Sequence, residues 1–433
     1  MFWEENMEKF IHESARDLPI AGEYDVIVAG SGPAGVSAAI NAGRRGAKVL
    51  LLEWNNAVGG ISTSGLMSHF TGTVQSKFYT ELLQAMADRN EFSNPGEITK
   101  FIDPEQLKII YLEMLRDAGV TVLLYTFVCG VVMDGNRITG VITESKSGRR
   151  VFAAKVFIDG TGDGDVAAFA GVPYFKGRET DGKMQPATLM FKVGGVDTDR
   201  AVYLRSFEST YDTPKGELQA LAKEHIPYPA GHILTYRTTL PGIVTCNMTN
   251  CTEIDGTLAE DLTRAEIVCR SQMPAIVAYL REFVPGYERC FIISAGSLMG
   301  VRETRHFKGA YTLHENDILT ARVFDDWVVR GAHFNFDVHN LTGAGLDKTG
   351  VQKEFRQSKG YTIPYGCLLP EGVEGLLLSG RNICGTHMAH SNYRAMPICL
   401  GIGEAAGVAA ALAVRKGVSP REITAAEIQA ELI

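Results

Sequence analysis

Two apolar runs, Tyr24 to Ala29 (YDVIVA) and Lys48 to Glu53 (KVLLLE), bracket the spacing Gly30-x-Gly32-x-x-Gly35. The first run reads as a strand ending in glycines, Pro33 to Arg45 has helical composition, and the second run reads as another strand. That is a β-α-β unit with its turn chemistry specified. Gly30 permits the tight turn, Gly32 lets the backbone approach a pyrophosphate, and Gly35 lets helix and strand close up. Ser31, Pro33 and Ala34 complete the loop and open a helix whose free N–H groups face an anion. Glu53, ending the second strand, can accept hydrogen bonds from ribose hydroxyls and would repel a 2′-phosphate. The expectation is a bound dinucleotide with an unphosphorylated adenosine half; a ligand-free glycine turn is the bland alternative.

The chain has 433 residues, 45% hydrophobic and 21% charged, which suits a folded protein of two domains at about 150 or more residues each. Lys+Arg 42 against Asp+Glu 50 gives a net charge of -8, and no basic run is present to neutralise phosphates, so nucleic acid is not expected as a partner. The uncharged stretch Ala118 to Met133 is shorter than the ~20 residues that span hydrocarbon and is rich in β-branched residues, so strands are expected there and no membrane span. Glu4, Glu5, Glu8 and Asp17 are wrong for a signal peptide, which makes a cytoplasmic location the expectation. The 8 cysteines are scattered without a C-x-x-C pair, and Cys246 and Cys251 lack further ligands nearby, so buried or idle thiols and no metal site are expected.

Residues 1 to 22 read as an arm with a short helix, from the spacing of Phe2, Met7, Phe10 and Ile11. A helix from Pro104 to Ala118 has Asp103 as N-cap and Gly119 at its end. From Val120 to Asp159, strand-like runs separated by turn clusters read as a β-meander. Residues 171 to 354 change to mixed strands and helices without a second fingerprint, and are taken as an inserted α+β substrate domain. Residues 23 to 170 and 355 to 433 would form the nucleotide domain. In its second part Gly375 to Ser379 reads as a buried strand, and Pro397 to Val414 as a helix so rich in Gly and Ala that it must lie close to a neighbour. A tail helix is expected from Ser419, with Pro420 at N1.

Three further small-residue loops fit a long cofactor. Gly59-Gly60, followed by Ser62, Thr63 and Ser64, could admit it along the sheet edge; a flexible loop is the alternative. Asp159-Gly160-Thr161-Gly162-Asp163 ends the meander where backbone could approach the adenosine side, or is a plain turn. Ser379-Gly380-Arg381-Asn382 ends a strand, and Arg394 to Gly401 opens the Gly/Ala helix, whose N-terminus would favour an anionic reduced flavin or simply pack tightly.

The segments VAGSGPAGVSAAINAGRRGAKVLLLE, GGISTSG, DGTGDGD and IPYGCLLPEGVEGLLLSGRNICGTHMAHSNYRAMPICLGIGEAAGVAAALA resemble the broad FAD-dependent oxidoreductase family related to fumarate reductase and succinate dehydrogenase flavoproteins. GVRETRHFKG, residues 300 to 309, resembles a motif of that branch. The resemblance implies a Rossmann-like α/β FAD domain of glutathione-reductase type, with contacts from Ser31, Gly32, Pro33, Ala34, Gly35, Glu53, Trp54, Gly60, Ile61, Ser62, Thr63, Val128, Gly160, Thr161, Gly162, Gly380, Arg381, Asn382, Pro397, Leu400 and Gly401. Succinate dehydrogenases link flavin to a histidine before the equivalent Gly-Gly. Residues 53 to 58 contain none, so the FAD is expected to be non-covalent.

A flavin supplies the redox step, leaving the protein to provide an acid or base and a cation for an anionic substrate. Arg302-Glu303-Thr304-Arg305-His306 concentrates such groups, and Arg302 and Arg305 read equally as catalytic cations or as a structural network. His333, Asp337 and His339 would share one side of a strand, with His333 the better catalytic candidate and satisfied structural histidines the alternative. His69, beyond the Gly-Gly loop, could reach the reacting ring or cap the loop. Tyr365, His387, His390, Tyr393 and Arg394 adjoin the flavin helix in chain order, Arg394 being favoured. The reading is hydride transfer between a small organic substrate and flavin N5, with substrate, direction and electron acceptor or donor open. A nicotinamide-dependent dehydrogenase and a flavin-binding relay or assembly subunit stand as alternatives.

Overall fold

The computed structural model describes residues 11–90, 98–347 and 359–432. The first apolar run lies in the strand Ile20–Ala29, whose last four residues are buried. It pairs in parallel with Val49–Leu52 on one side and with Arg150–Asp159 on the other. Thr121–Leu123 extends the sheet beyond Val49–Leu52. Parallel strands covered on both faces need unbroken apolar runs, and Val49–Leu52 is buried throughout.

The meander is Phe127–Asp134, Arg137–Glu144 and Arg150–Asp159, paired antiparallel in sequence order. Its last strand is shared. Residues Arg150 to Ala153 pair with the meander, whereas Phe157 to Asp159 pair in parallel with Leu376–Leu378. One strand thus joins the amino-terminal unit to the carboxyl-terminal one. The Gly/Ala helix, Met396–Lys416, lies against the fingerprint helix, Pro33–Gly43. A Cβ on Gly403 would stand 2.1 Å from the Ala34 carbonyl oxygen, and one on Gly407 2.3 Å from that of Ala38, so only glycine allows this approach. This helix is long and apolar enough to cross a membrane, but 94% of its apolar window is buried inside the fold.

A second core spans Ala187 to Cys290. Its sheet runs in the order Thr235–Arg237, Val244–Cys246, Phe191–Gly194, Phe291–Ala295, all antiparallel, and carries the helices Leu218–His225 and Ala259–Phe283. Phe307, Val328, Ala332 and Phe336 instead belong to the first core, because Trp327–His333 pairs with Tyr361–Pro364 and with Thr73–Gln75. The segment expected to stay in the inserted domain up to residue 354 therefore packs back on the nucleotide domain, while residues 348–358, which include that boundary, lie outside the described residues.

Phe2, Met7 and Phe10 lie outside the described residues, and residues 11–19 form no helix. Asp103 caps Pro104–Asp117 as expected, accepting from the Glu105 and Gln106 amides. Ser419 does cap a turn, but only Pro420–Glu422: Glu422 reaches back to the Ser419 amide and closes a capping box, Ile423 is extended, and the helix proper is Ala425–Leu432.

Candidate cofactor cradle and active site

The four small-residue loops meet at the carboxyl end of the parallel sheet. Gly30 has φ of +86°, and a Cβ there would lie 2.5 Å from the Gly160 carbonyl oxygen; one on Gly35 would lie 1.9 Å from that of Gly30. Gly160 donates to Ala29 O at 2.8 Å, and Gly59 to Ser31 O at 2.7 Å. Asn382 Nδ2 and the Ser379 amide donate to Asp159 O at 2.9 and 3.0 Å. The loops are thus stitched by backbone. Asp159 takes the Thr161 amide and hydroxyl and the Ala167 amide. Burial nevertheless raises its pKa to about 6.

The cradle's own atoms test whether an extended FAD fits it. An ideal Cβ on Gly32 meets nothing within 4 Å, so open space lies over the fingerprint. Gly32 begins the fingerprint helix with no side-chain cap, and Ala395 likewise leaves the Gly/Ala helix uncapped, so both helix ends hold free amides. Buried Glu53 is aimed at the loop: its Oε2 accepts from the Ser31 amide at 2.9 Å and hydroxyl at 2.6 Å, and its Oε1 from the Asn55 amide at 2.8 Å. Ser379 Oγ and Asn382 Oδ1 are buried without a hydrogen-bond partner among the described residues. An extended adenine dinucleotide would meet these groups.

Not every expected contact residue faces the cradle by its side chain. Ser62 and Thr63 spend their hydroxyls on Gly59 O and Val58 O, each at 2.6 Å, bracing the Gly60–Ser62 turn, while the half-buried Ile61 packs on Gly65. Arg381 lies across Gly162 and pairs with Asp163 at 2.6 Å. Val128 is buried in the meander strand that begins beside Glu53, whose carbonyl takes the Thr126 amide at 2.9 Å. Trp54 is 57% exposed, and Leu400 and Gly401 face inward, Gly401 against Val74. From Pro397 to Gly401 only the backbone at the helix start is placed to serve a ligand.

The candidate catalytic residues divide. Arg302 and Arg394 come together between the two cores. Arg302 is buried and donates to Pro186 O, and among the described residues no carboxylate lies within ion-pair distance of it. Burial, then the charge of Arg394, lowers its pKa to about 10. Arg394 bonds Asp337 through Oδ2 at 2.9 Å and through its carbonyl at 2.7 Å, and His339 Nε2 stands 3.4 Å from the same Oδ2. Burial opposes the Asp337 charge, but His339, Arg394 and Arg302 hold that carboxyl well below its usual range. Burial lowers His339 to about 4. His69 joins from the far side: Ser68 Oγ is 2.9 Å from its Nδ1, its ring is 4.8 Å from Tyr236, and burial lowers it to about 4. Burial raises Tyr236, which stands beside Asn247, to about 12.

Other candidates are placed elsewhere. Arg305 binds Asp165 and the Asp163 carbonyl, both at 2.8 Å, so it braces the cofactor loop and not the junction. Tyr365 is corrected to a structural role, since its buried hydroxyl donates to Pro420 O at 2.8 Å. The strand carrying His333 ends at that residue, so the expected strand face through Asp337 and His339 does not form; Asp337 and His339 meet after the chain has turned. Half-buried His333 stays beside Gly72 and has no side-chain hydrogen-bond partner among the described residues.

Glu303, His306 and His387 offer ligand atoms within 4.8 Å of one another. Glu303 Oε1 is 2.8 Å from His306 Nε2 and 2.5 Å from His387 Nδ1. A tetrahedral metal site with bonds of 2.0–2.1 Å spaces its ligand atoms about 3.3 Å apart, so these are hydrogen bonds of a buried triad. Burial opposes the Glu303 charge, but the two imidazoles hold its carboxyl far below the usual range. Gln185, His232, Tyr236 and Asn247, none of them among the sequence candidates, stand at the junction from the inserted sheet and the segments beside it. No local motif marks them.

A family model described as FAD dependent oxidoreductase matches residues 25–432. Among curated proteins, digeranylgeranylglycerophospholipid reductase 1 of Methanococcoides burtonii is 25% identical over 198 residues, 41% of this chain and 47% of that protein. Thiamine thiazole synthase of Methanococcus vannielii is 31% identical over 153 residues, 32% of this chain and 56% of that protein. The chain thus spans about half the length of these relatives. A geranylgeranyl bacteriochlorophyll reductase-like protein from Thermoplasma acidophilum overlays with a TM-score of 0.48 at 12% identity, covering 94% of this chain and 82% of that one. The kinship is with the broad family and not specifically with fumarate reductase or succinate dehydrogenase flavoproteins. By the match across residues 25–432, the chain belongs to the FAD dependent oxidoreductase family, and FAD is its cofactor.

Proposed function

We propose that this chain is an oxidoreductase acting on a small organic anion, with substrate entering between the two cores. Bound FAD supplies a two-electron centre that exchanges hydride with a substrate carbon. The residues named above would hold it non-covalently, since residues 53 to 58 offer no histidine for a link. Arg302 carries the reading. A guanidinium is kept in the interior at the cost of several kcal/mol unless a partner is supplied, and here no carboxylate among the described residues lies within ion-pair distance, the charge of Asp337, itself bonded to Arg394, reaching it only from further away. A substrate carboxylate is the partner it is built for, with Arg394, positioned by Asp337, as the second cation. Tyr236 and His69 are the groups able to hold or pass a proton beside it. No second glycine fingerprint is visible, so the electron acceptor or donor is a separate molecule.

The test is anaerobic bleaching of the FAD-loaded protein by organic acids, or reoxidation of the reduced protein by unsaturated ones. Arg302→Ala should lower kcat/KM by about 10²–10³ while flavin content stays unchanged. Full activity in Arg302→Ala would sink the proposal and favour a relay subunit.

A further inference from the structure

Four polar atoms at the junction are buried with no hydrogen-bond partner among the described residues: Gln185 Nε2, His232 Nδ1, Asn247 Oδ1 and Arg394 Nε. Gln185, His232 and Asn247 are 1%, 6% and 7% exposed. What each atom offers follows from its neighbours. His232 Nε2 is 2.9 Å from the Asn247 carbonyl, which can only accept, so Nε2 carries the proton and Nδ1 presents a lone pair. Gln185 Oε1 accepts the His339 amide at 3.2 Å, which orients the side chain and leaves Nε2 as a free donor. These groups are neighbours. The Phe207 ring lies 5.0 Å from that of His232 and 5.3 Å from that of His339, and Arg302 bonds the carbonyl of Pro186, next to Gln185.

An unpaired buried polar group is costly, and three such atoms close to two guanidiniums, one of which leaves its own Nε unpaired, point to a ligand that completes them. A plain carboxylate would satisfy the donors and leave the lone pairs of His232 and Asn247 facing apolar ligand. We propose that the substrate is a small carboxylate bearing a hydroxyl or amino group close to the carboxyl: the carboxylate on Arg302 and Arg394, the O–H or N–H donating to His232 Nδ1 or Asn247 Oδ1. This rests on the anion-binding reading above.

The experiment compares matched acids on the FAD-loaded protein without oxygen, by calorimetry and by the shift of the flavin band: lactate against propionate, malate against succinate, alanine against propionate. In at least one pair the hydroxy or amino acid should bind ten-fold or more tightly, because a site built to pair a hydroxyl rejects the analogue lacking it. At least one of H232F and N247L should bring that ratio to near one, and the one that does names the acceptor. Equal binding within every pair, as water-filled polar atoms would give, or a ratio intact in both variants, overturns the inference while leaving the flavin reading standing. Calorimetry with no heat for any acid would overturn this inference and the anionic-substrate reading together.

Discussion

In the cradle, backbone meets backbone: Gly35 against Gly30, Gly30 against Gly160, Gly403 and Gly407 against the fingerprint helix. At the junction side chains meet side chains, drawn from Gln185, His232, Tyr236, Arg302, Asp337 and Arg394, and they come from both cores. Steric exclusion fixes the first region, and it tolerates almost no added atom. Charge and hydrogen bonding fix the second, whose groups are only partly paired. On the proposed function, close backbone fit shapes the cradle for the cofactor, and the polar groups of the junction would select the substrate.

If that contrast is sound, Gly35→Val should have the largest effect. Its side chain would occupy the Gly30 carbonyl, forcing helix and strand apart at about 3 kcal/mol or more, read as loss of soluble, flavin-bearing protein. Glu303→Gln should come next at roughly 3 kcal/mol, because it leaves two buried imidazoles without their anion. The Glu303 carboxyl is held low, so its contribution is present above the ordinary Glu pKa of ~4.3 and lost as pH falls through the lower folded value. His387 is raised, burial opposing and Glu303 prevailing, so its contribution is present below the ordinary ~6.5 and lost as pH rises through the folded value. The Tm gap between wild type and Glu303→Gln should therefore be widest at about pH 4.5–6.5; a gap that is flat with pH would deny the triad its charge.

Tyr365→Phe should cost about 1 kcal/mol, one buried hydrogen bond, without changing kcat/KM; a selective loss of activity would return Tyr365 to the catalytic set. Smallest on the fold is Gly32→Ala. Gly32 has φ of -62°, which any residue adopts, and its Cβ meets no protein atom. The apo-protein should melt within ~0.5 kcal/mol of wild type yet bind FAD at least ten-fold more weakly. Unchanged FAD affinity would mean the open space over the fingerprint is not where the cofactor lies.

The same contrast explains what could be read in advance. Gly30, Gly32, Gly35, Glu53 and the Asp103 cap were legible because spacing along one segment dictates their geometry. The closeness of the Gly/Ala helix to a neighbour was legible too, though not that the neighbour is Pro33–Gly43. Arg302 and Arg394 were named, but what unites them, Asp337 turned inward after the strand ends at His333, depends on tertiary packing. His232, Tyr236 and Asn247 sit on or beside short strands of the inserted sheet with no motif around them, and only folding brings them to Arg302. Arg305 and Tyr365 show the reverse case: chemically suggestive residues whose hydrogen bonds are already committed to Asp165 and Pro420.

On the reading above, the two ends of the chain close around an extended, non-covalent FAD. The absorption spectrum of the native protein, followed by acid precipitation and assay of flavin in the supernatant, tests it most directly. About one FAD per chain, all of it released, is the expected result. Folded protein that stays colourless in excess FAD would contradict the cradle, and pigment retained in the pellet would contradict the non-covalent assignment.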